Sequence, residues 1–385
     1  MNKQQDKPTT YPISYWERES FTRYDHIIIG GGITGLSTAA AIAEQAPEAS
    51  VLVLERGLFP SGASTKNAGF ACFGSITELL VDRDTMGAQK ALALVNERWS
   101  GLQKLRDRLG DAAIGFQPLG GYELLPDSRQ DALDQLDTIN DWLRPLFEQQ
   151  VFSLASEKLK DFRFDAVSWP HMVFNPLEGH LHTGQMMRAL LRYVQERGVT
   201  VLTGTQVSRF EEEESHVTVL VDTPFGESRF LANKLAVCTN AFSKQLLPGL
   251  NLEPGRGQVL VTKPMKDIPF RGTFHFDEGY FYFRDAGDRI IFGGGRNHDY
   301  EAEKTASFGD NQKLLDLLRW HMDHTILPGR DWEEDMHWSG IMAFGPDKEP
   351  ILERHSERIC LGIRLGGMGV AIGSRLGEKL AAIML

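Results

Sequence analysis

Residues 25–56 read DHIIIGGGITGLSTAAAIAEQAPEASVLVLER, and this stretch decides the fold class. Ile27, Ile28 and Ile29 form a continuous β-branched run, the pattern of a strand buried on both faces. Glycines follow at once in the spacing Gly30-x-Gly32-x-x-Gly35. Then come an alanine-rich helical run and a second apolar run, Val51–Leu54, closed by Glu55. Strand, glycine turn, helix and strand make a βαβ unit. The first glycine permits the tight turn, the second lets a pyrophosphate approach the backbone, and the third lets the helix pack closely on the strand. The helix N-terminus turns its amides and positive dipole end toward the phosphates. Glu55 stands where a carboxylate accepts hydrogen bonds from ribose hydroxyls. The expected fold class is therefore α/β, with a Rossmann dinucleotide-binding domain.

The rest of the chain has room for a second domain. It has 385 residues, 42% hydrophobic and 24% charged, which are globular values. The net charge of −11 argues against nucleic acid as the main ligand. No run of 18 apolar residues suggests a membrane span, and residues 1–10 are polar, without the apolar core of a secretory signal. Cys72, Cys238 and Cys360 are scattered, with neither a CxxC pair nor a metal-ligand spacing. A reducing cytoplasm is the expected location, with no metal. Glycine is enriched, at 38 residues, and much of the surplus lies in clusters.

Residues 1–10 read as a disordered tail, and the aromatic-rich residues 11–24 as a segment packed on the surface. Helical spacing is predicted over 84–110, 128–149, 185–197, 310–323 and 372–383. Strand patterns fall at 199–202, 217–221, 235–237, within 255–297 and at 359–361. The acidic run 211–214 reads as a solvated hairpin tip, and Asp347 as a turn residue.

Several further segments occur in a characteristic order: GASTKNAGF (62–70), RGQVLVT (256–262), YFRDAGDRIIFGGG (282–295), WSGIMAFGPDKEPIL (338–352) and LGGMGVAIGSRLGEKLA (365–381). Together with SYWE at 14–17, they resemble the D-amino acid oxidase-like (DAO) superfamily of FAD-dependent oxidoreductases. The nearest members are glycine and sarcosine oxidases and gamma-glutamylputrescine oxidase-like proteins. The resemblance covers nearly the whole chain past residue 14 and implies a glutathione-reductase-like fold with a mixed-sheet substrate domain. It implies FAD as cofactor, and a single GxGxxG without a redox CxxC agrees with an organic electron donor rather than a nicotinamide.

By this resemblance Gly30, Gly32, Ile33, Thr34 and Gly35 wrap the pyrophosphate, while Glu55 and Arg56 hold the adenosine ribose. Ser64, Thr65, Asn67, Ala68 and Gly69 lie along the ribityl chain and the ring. Val207 contacts adenine through its backbone. Thr239 and Asn240 stand where the family has a Thr-Gly-like pair, a replacement that asparagine's tolerance of positive φ permits. Gly340, in the W-x-G segment, and Gly366, Gly367, Met368, Gly369 and Val370, in the last loop, complete the flavin site. The final helix points its positive end at the flavin. Cys72 follows the flavin loop and reads as a small buried side chain.

In GYFYFR the period-2 rule puts Tyr280, Tyr282 and Arg284 on one face and Phe281 and Phe283 on the other. The Tyr/Tyr/Arg face suits a polar substrate, with Arg284 as a carboxylate fork, or else Arg284 snorkels at the sheet edge. Among the histidines at 171, 180, 182, 275 and 298, His275 is the best catalytic candidate. Three family positions are altered. Met342 stands where glycine oxidases place a carboxylate-binding arginine, and Gly366-Gly367-Met368 lacks a second one. Ile290 or Ile291 stands where sarcosine oxidases carry a lysine.

The domains are expected at 24–80, 180–250 and 335–385 for FAD, and 81–179 and 251–334 for the substrate, after a tail at 1–23. The expected reaction is oxidation of a C–N bond of a small amine or amino acid by hydride transfer to flavin N5, with O2, a protein or a quinone as final acceptor. The alternatives are a 2-hydroxy acid dehydrogenase using a non-oxygen acceptor, and a flavin-binding protein with a macromolecular partner or substrate.

Overall fold

The computed structural model of the chain describes residues 12–385. The tail expected at residues 1–10 lies outside them. The first described helix, Tyr15–Phe21, starts at a capping box in which Ser14 and Glu17 each satisfy the other's backbone amide, and none of its residues is buried.

Two eight-stranded sheets organise the protein. In the first, Arg23–Ile29 lies between two parallel neighbours, Val51–Leu54 and Gly226–Val237. Thr200–Leu202 extends the sheet beyond Val51–Leu54, while Ile359–Ile363 pairs in parallel with Gly226–Val237. Two antiparallel strands, Val207–Glu212 and Val217–Thr223, form a hairpin on the long strand Gly226–Val237, with the acidic run 211–214 exposed at its tip. Ile27 and Ile28 are fully buried on opposite faces. Each such side chain contributes roughly 1.5–3 kcal/mol. Ile28 packs under the helix Ile33–Gln45, which lies against the last helix, Gly369–Met384. The two helices approach so closely that a Cβ on Gly377 would lie 2.6 Å from Ser37 Cβ.

The second sheet has the order Glu334–Phe344, Glu253–Thr262, Arg289–Gly294, Phe281–Ala286, Thr273–Phe276, Gly121–Leu125, His171–Asn175, Ser153–Leu154. One of its faces carries Phe274, Phe276, Phe281, Phe283 and Phe292 and packs on the helix Gln312–His321. The division near residue 335 assigns the strand Glu334–Phe344 to the FAD unit, but it is hydrogen-bonded along its length to Glu253–Thr262 in the second sheet. Its inner residues Ile341 and Ala343 join the core of the first sheet, so this strand belongs to both.

Helices depart from the expected spans where backbone geometry breaks them. The run predicted at 84–110 is two helices, Ile76–Met86 and Ala88–Leu109, separated by Gly87 at φ +85°. The run at 128–149 is broken into Gln130–Asp134 and Leu136–Leu143. Gln312–His321 continues into a wider turn, Met322–Ile326. The final helix begins at Gly369, earlier than the apolar spacing indicates, because its first residues belong to the cavity. Among the described residues no helix is long and apolar enough to cross a membrane. No group of His, Cys, Asp and Glu among them could hold a metal ion.

Candidate active site

A cavity of about 1150 Å³ lies between the two sheets. It exceeds the roughly 300–1,000 Å³ of an ordinary small-ligand site, which leaves room for a dinucleotide and a small substrate together.

One end is built from the glycine turn. Gly30 has φ +112°, and a Cβ there would lie 2.7 Å from the Cys238 carbonyl oxygen. A Cβ on Gly32 would lie 2.8 Å from Ser64 Oγ, which accepts a 2.9 Å hydrogen bond from the Ile33 amide. Gly35 faces away from the cavity, and its role is packing: a Cβ there would sit 1.9 Å from the Gly30 carbonyl oxygen. Glu55 is 8% exposed and accepts hydrogen bonds from the Gly31 and Gly57 amides, at 2.9 Å each. These bonds aim its carboxylate at the cavity. Arg56 stacks 3.8 Å over Phe242, and with Val207 both line the same end.

The flavin loop splits in two. Ser64, Asn67 and Ala68 line the cavity. Thr65 turns away and donates to the Pro60 carbonyl, and Gly69, at φ +78°, lies against Leu181. Opposite, Thr239, Asn240, Gly340 and the loop Gly366, Gly367, Met368, Gly369, Val370 line the cavity. Asn240 adopts φ +48°. Its Oδ1 accepts from the amides of Arg364 (3.0 Å) and Leu365 (3.4 Å), tying the two loops together. The N-terminus of Gly369–Met384 thereby meets the cavity, where its dipole favours negative charge.

The second sheet supplies the remaining wall. His275 and Tyr282 are direct cross-strand partners, so their side chains share a face. Phe70 packs edge-on against both, with ring centroids at 4.9 and 5.6 Å. His275 is 7% exposed, and neither ring nitrogen has a hydrogen-bond partner among the described residues. Burial pushes its pKa below the ordinary 6.5, against the pull of Glu78, and so favours the neutral imidazole. Burial pushes the Tyr282 phenol up to about 12, with the Arg296 charge opposing. Tyr280 is more open and lines the cavity mouth.

Arg284 is not part of this wall. Its Nε donates to the Ala68 carbonyl, and its two terminal nitrogens donate to the carbonyls of Asp285 (2.7 Å) and Leu181 (3.2 Å). The fork expected for a substrate carboxylate is filled by the protein's own backbone. Burial pushes its pKa down to about 10, with Asp285 opposing. The alternation rule places Arg284 on the correct face, but loops cover that part of the face.

Sequence reasoning missed Phe70, Arg296, Tyr300, Phe344 and Asp82, which all line the cavity. Asp82 is 2% exposed and ion-pairs with Lys348 at 2.6 Å. The one available signal was the Gly293–Gly295 run just ahead of Arg296, whose Gly294 also lines the cavity. Ile290 is buried in the phenylalanine core, and Ile291 pairs with Arg284 and Val261, so neither site carries a cation.

Residues 25–383 match the family described as DAO, FAD dependent oxidoreductase. The chain belongs to the DAO family. It is an FAD-dependent oxidoreductase, and the glycine cradle, the aimed Glu55 carboxylate and the cavity size fit that cofactor. Among similar proteins, glycine oxidase of Bacillus licheniformis is 23% identical over 376 residues, covering 94% of this chain and 93% of the relative. The bifunctional protein ThiO/ThiG of Synechocystis is 24% identical over 341 residues, 86% of this chain but only 47% of that protein. The chain thus spans about half of that relative. The solved L-proline dehydrogenase from P. horikoshii aligns with a TM-score of 0.75 at 20% identity, covering 94% and 93% of the two chains, and shares the fold.

Proposed function

We propose that this DAO-family enzyme oxidises the C–N bond of a small amine or amino acid. The observation that carries this reading is His275. It is a buried imidazole held toward the neutral form, with no partner of its own, on the same cavity as the dinucleotide cradle. C–N oxidation needs an amine whose nitrogen has lost its extra proton, and a neutral imidazole can accept that proton. FAD, when bound, supplies at N5 the acceptor for the substrate's α-hydrogen and its electron pair. The protein's share is placement and exclusion of water. Phe70, Met342 and Phe344 give the cavity apolar surface, while Tyr280 and Tyr282 offer phenol donors. Relatives named glycine oxidase and N-methyl-L-tryptophan oxidase, and the neighbour named L-proline dehydrogenase, support the substrate class.

The test is anaerobic mixing of the holoenzyme with amino acids, N-methyl amino acids, amines and 2-hydroxy acids. Loss of the visible flavin absorbance with an amine or amino acid is expected. Bleaching by hydroxy acids alone would replace the reading with C–OH oxidation, and no bleaching by any of them would defeat both.

A further inference from the structure

The Gly293–Gly295 run closes the strand Arg289–Gly294 at the cavity wall, which Gly294 lines. Gly294 has φ +123°, and a Cβ there would lie 1.9 Å from the Tyr280 carbonyl oxygen. Gly295 has φ +75°, and a Cβ there would lie 2.9 Å from the Phe281 ring. The run therefore folds the chain tightly across the start of the strand Phe281–Ala286. The next residue, Arg296, is carried into the cavity beside Tyr280 and Tyr282, and its charge acts on both phenols.

The guanidinium is held by its faces. Its carbon lies 4.0 Å from the centre of the Phe344 ring and 4.5 Å from that of Tyr300. Gly255 makes room for this stack, since a Cβ there would lie 2.5 Å from the Phe344 ring and 3.1 Å from Arg296 Nη1. Among the described residues Arg296 has no hydrogen bond and no ion pair. Of the other cations lining the cavity, Arg56 and Lys66 likewise lie over rings, those of Phe242 and Phe308 and not those that hold Arg296, while the rest are engaged. Arg98 binds the Phe73 carbonyl and Asp82, Arg364 binds Asp347 and two backbone carbonyls, and Lys348 is paired with Asp82. A partly buried guanidinium with free N–H edges beside two phenols is short of an acceptor. Its planar fork matches a carboxylate in two parallel bonds.

We propose that Arg296 binds the carboxylate of the substrate, so that the enzyme selects amino acids over the corresponding amines. The proposal rests on the C–N substrate reading for the reaction, and on the cavity geometry alone for the anion. Arg296 does this from a different part of the chain than the positions now held by Met342 and Met368. Met342 is the strand partner of Gly255, so the turn at 293–296 brings a guanidinium to the neighbourhood where the strand itself carries a methionine.

The test uses FAD-loaded protein and calorimetric titration with benzoate, and with benzamide as its neutral match. Wild type is expected to bind benzoate well and benzamide weakly. Arg296→Met is expected to weaken benzoate by about 10- to 150-fold with FAD content unchanged, and Arg296→Lys to retain part of the affinity. Equal benzoate affinity in wild type and Arg296→Met, or benzamide binding as tightly as benzoate to wild type, overturns the proposal. In a second arm, anaerobic reduction by an amino acid is compared with reduction by its decarboxylated amine. A wild-type preference for the amino acid that Arg296→Met loses supports the proposal, and a preference unchanged in the variant counts against it. If benzoate binds through Arg296 but no amine or amino acid reduces the flavin, the C–N reading fails while the anion site stands.

Discussion

The Ile33 amide donates a 2.9 Å hydrogen bond to Ser64 Oγ, joining the first turn of the Rossmann helix to the loop that runs along the cofactor cavity. Gly32 lies directly beneath that bond, and a Cβ there would come within 2.8 Å of the same oxygen. Gly32→Val is therefore expected to push the two loops apart and fill the cradle. FAD retained after gel filtration should fall by about tenfold or more, roughly 1.4 kcal/mol of binding. A fully yellow variant would contradict the cradle.

Arg284 offers a second test, because its position argues for support of the cofactor loop rather than contact with substrate. Arg284→Met leaves the carbonyls of Ala68, Asp285 and Leu181 without their donor. The expected cost is about 1–3 kcal/mol of stability for a carbonyl left buried and unpaired, with weakened FAD retention. A thermal melt of the FAD-loaded variant measures it. A variant of wild-type stability with only a raised KM would restore the carboxylate role.

Tyr282 and His275 face the cavity as a cross-strand pair. Tyr282→Phe removes one phenol donor and keeps the ring against Phe70. Anaerobic reduction should slow by about 10-fold, with FAD still bound. Because burial lowers the His275 pKa, the imidazole stays neutral further into acid than an ordinary histidine. The acid limb of the reduction rate should lie below pH 6.5, and His275→Asn should abolish that limb. Stopped-flow reduction across pH reads both effects.

Glu178 is a buried carboxyl whose pKa burial raises to about 8, against the Phe73 amide bond that favours the anion. Its folded pKa lies above the ordinary 4.5, so its contribution to stability is fully present below pH 4.5. That contribution is lost as pH rises toward 8. Glu178→Gln keeps an acceptor for Phe73 and removes the titration. Chemical denaturation should give the variant a smaller loss of stability between pH 5 and pH 9, by up to about 4 kcal/mol. Parallel wild-type and variant pH curves would rule this out.

The cofactor half of the site was legible because its signals are local. Gly30, Gly32 and Gly35 each leave out a Cβ that a neighbouring atom excludes, and Asn240 stands at a positive φ that its residue type tolerates. Such constraints act over one turn or one strand, so spacing alone carries them. The break at Gly87 was less legible because apolar spacing continues across the glycine that ends the helix, and the break at Gln135 has no glycine or proline to mark it.

On the substrate side, alternation correctly joined Tyr280, Tyr282 and Arg284 to one face, but a face is not a cavity. Whether a side chain on it meets substrate or backbone depends on what the rest of the chain lays over it. Ala68 and Leu181 cover Arg284, while the cavity opens at Tyr282. The strand Glu334–Phe344 shows the same limit at larger scale, since its pairing partner lies about eighty residues earlier in sequence. The sequence by itself determined the dinucleotide fold and most of the glycines that line the cavity, because those rest on short-range sterics. Only the tertiary structure decided which arginine turns inward to hold the loop and which stands free in the cavity. Both carry the same guanidinium fork, and only the surroundings assembled from distant segments determine which one already has its partners.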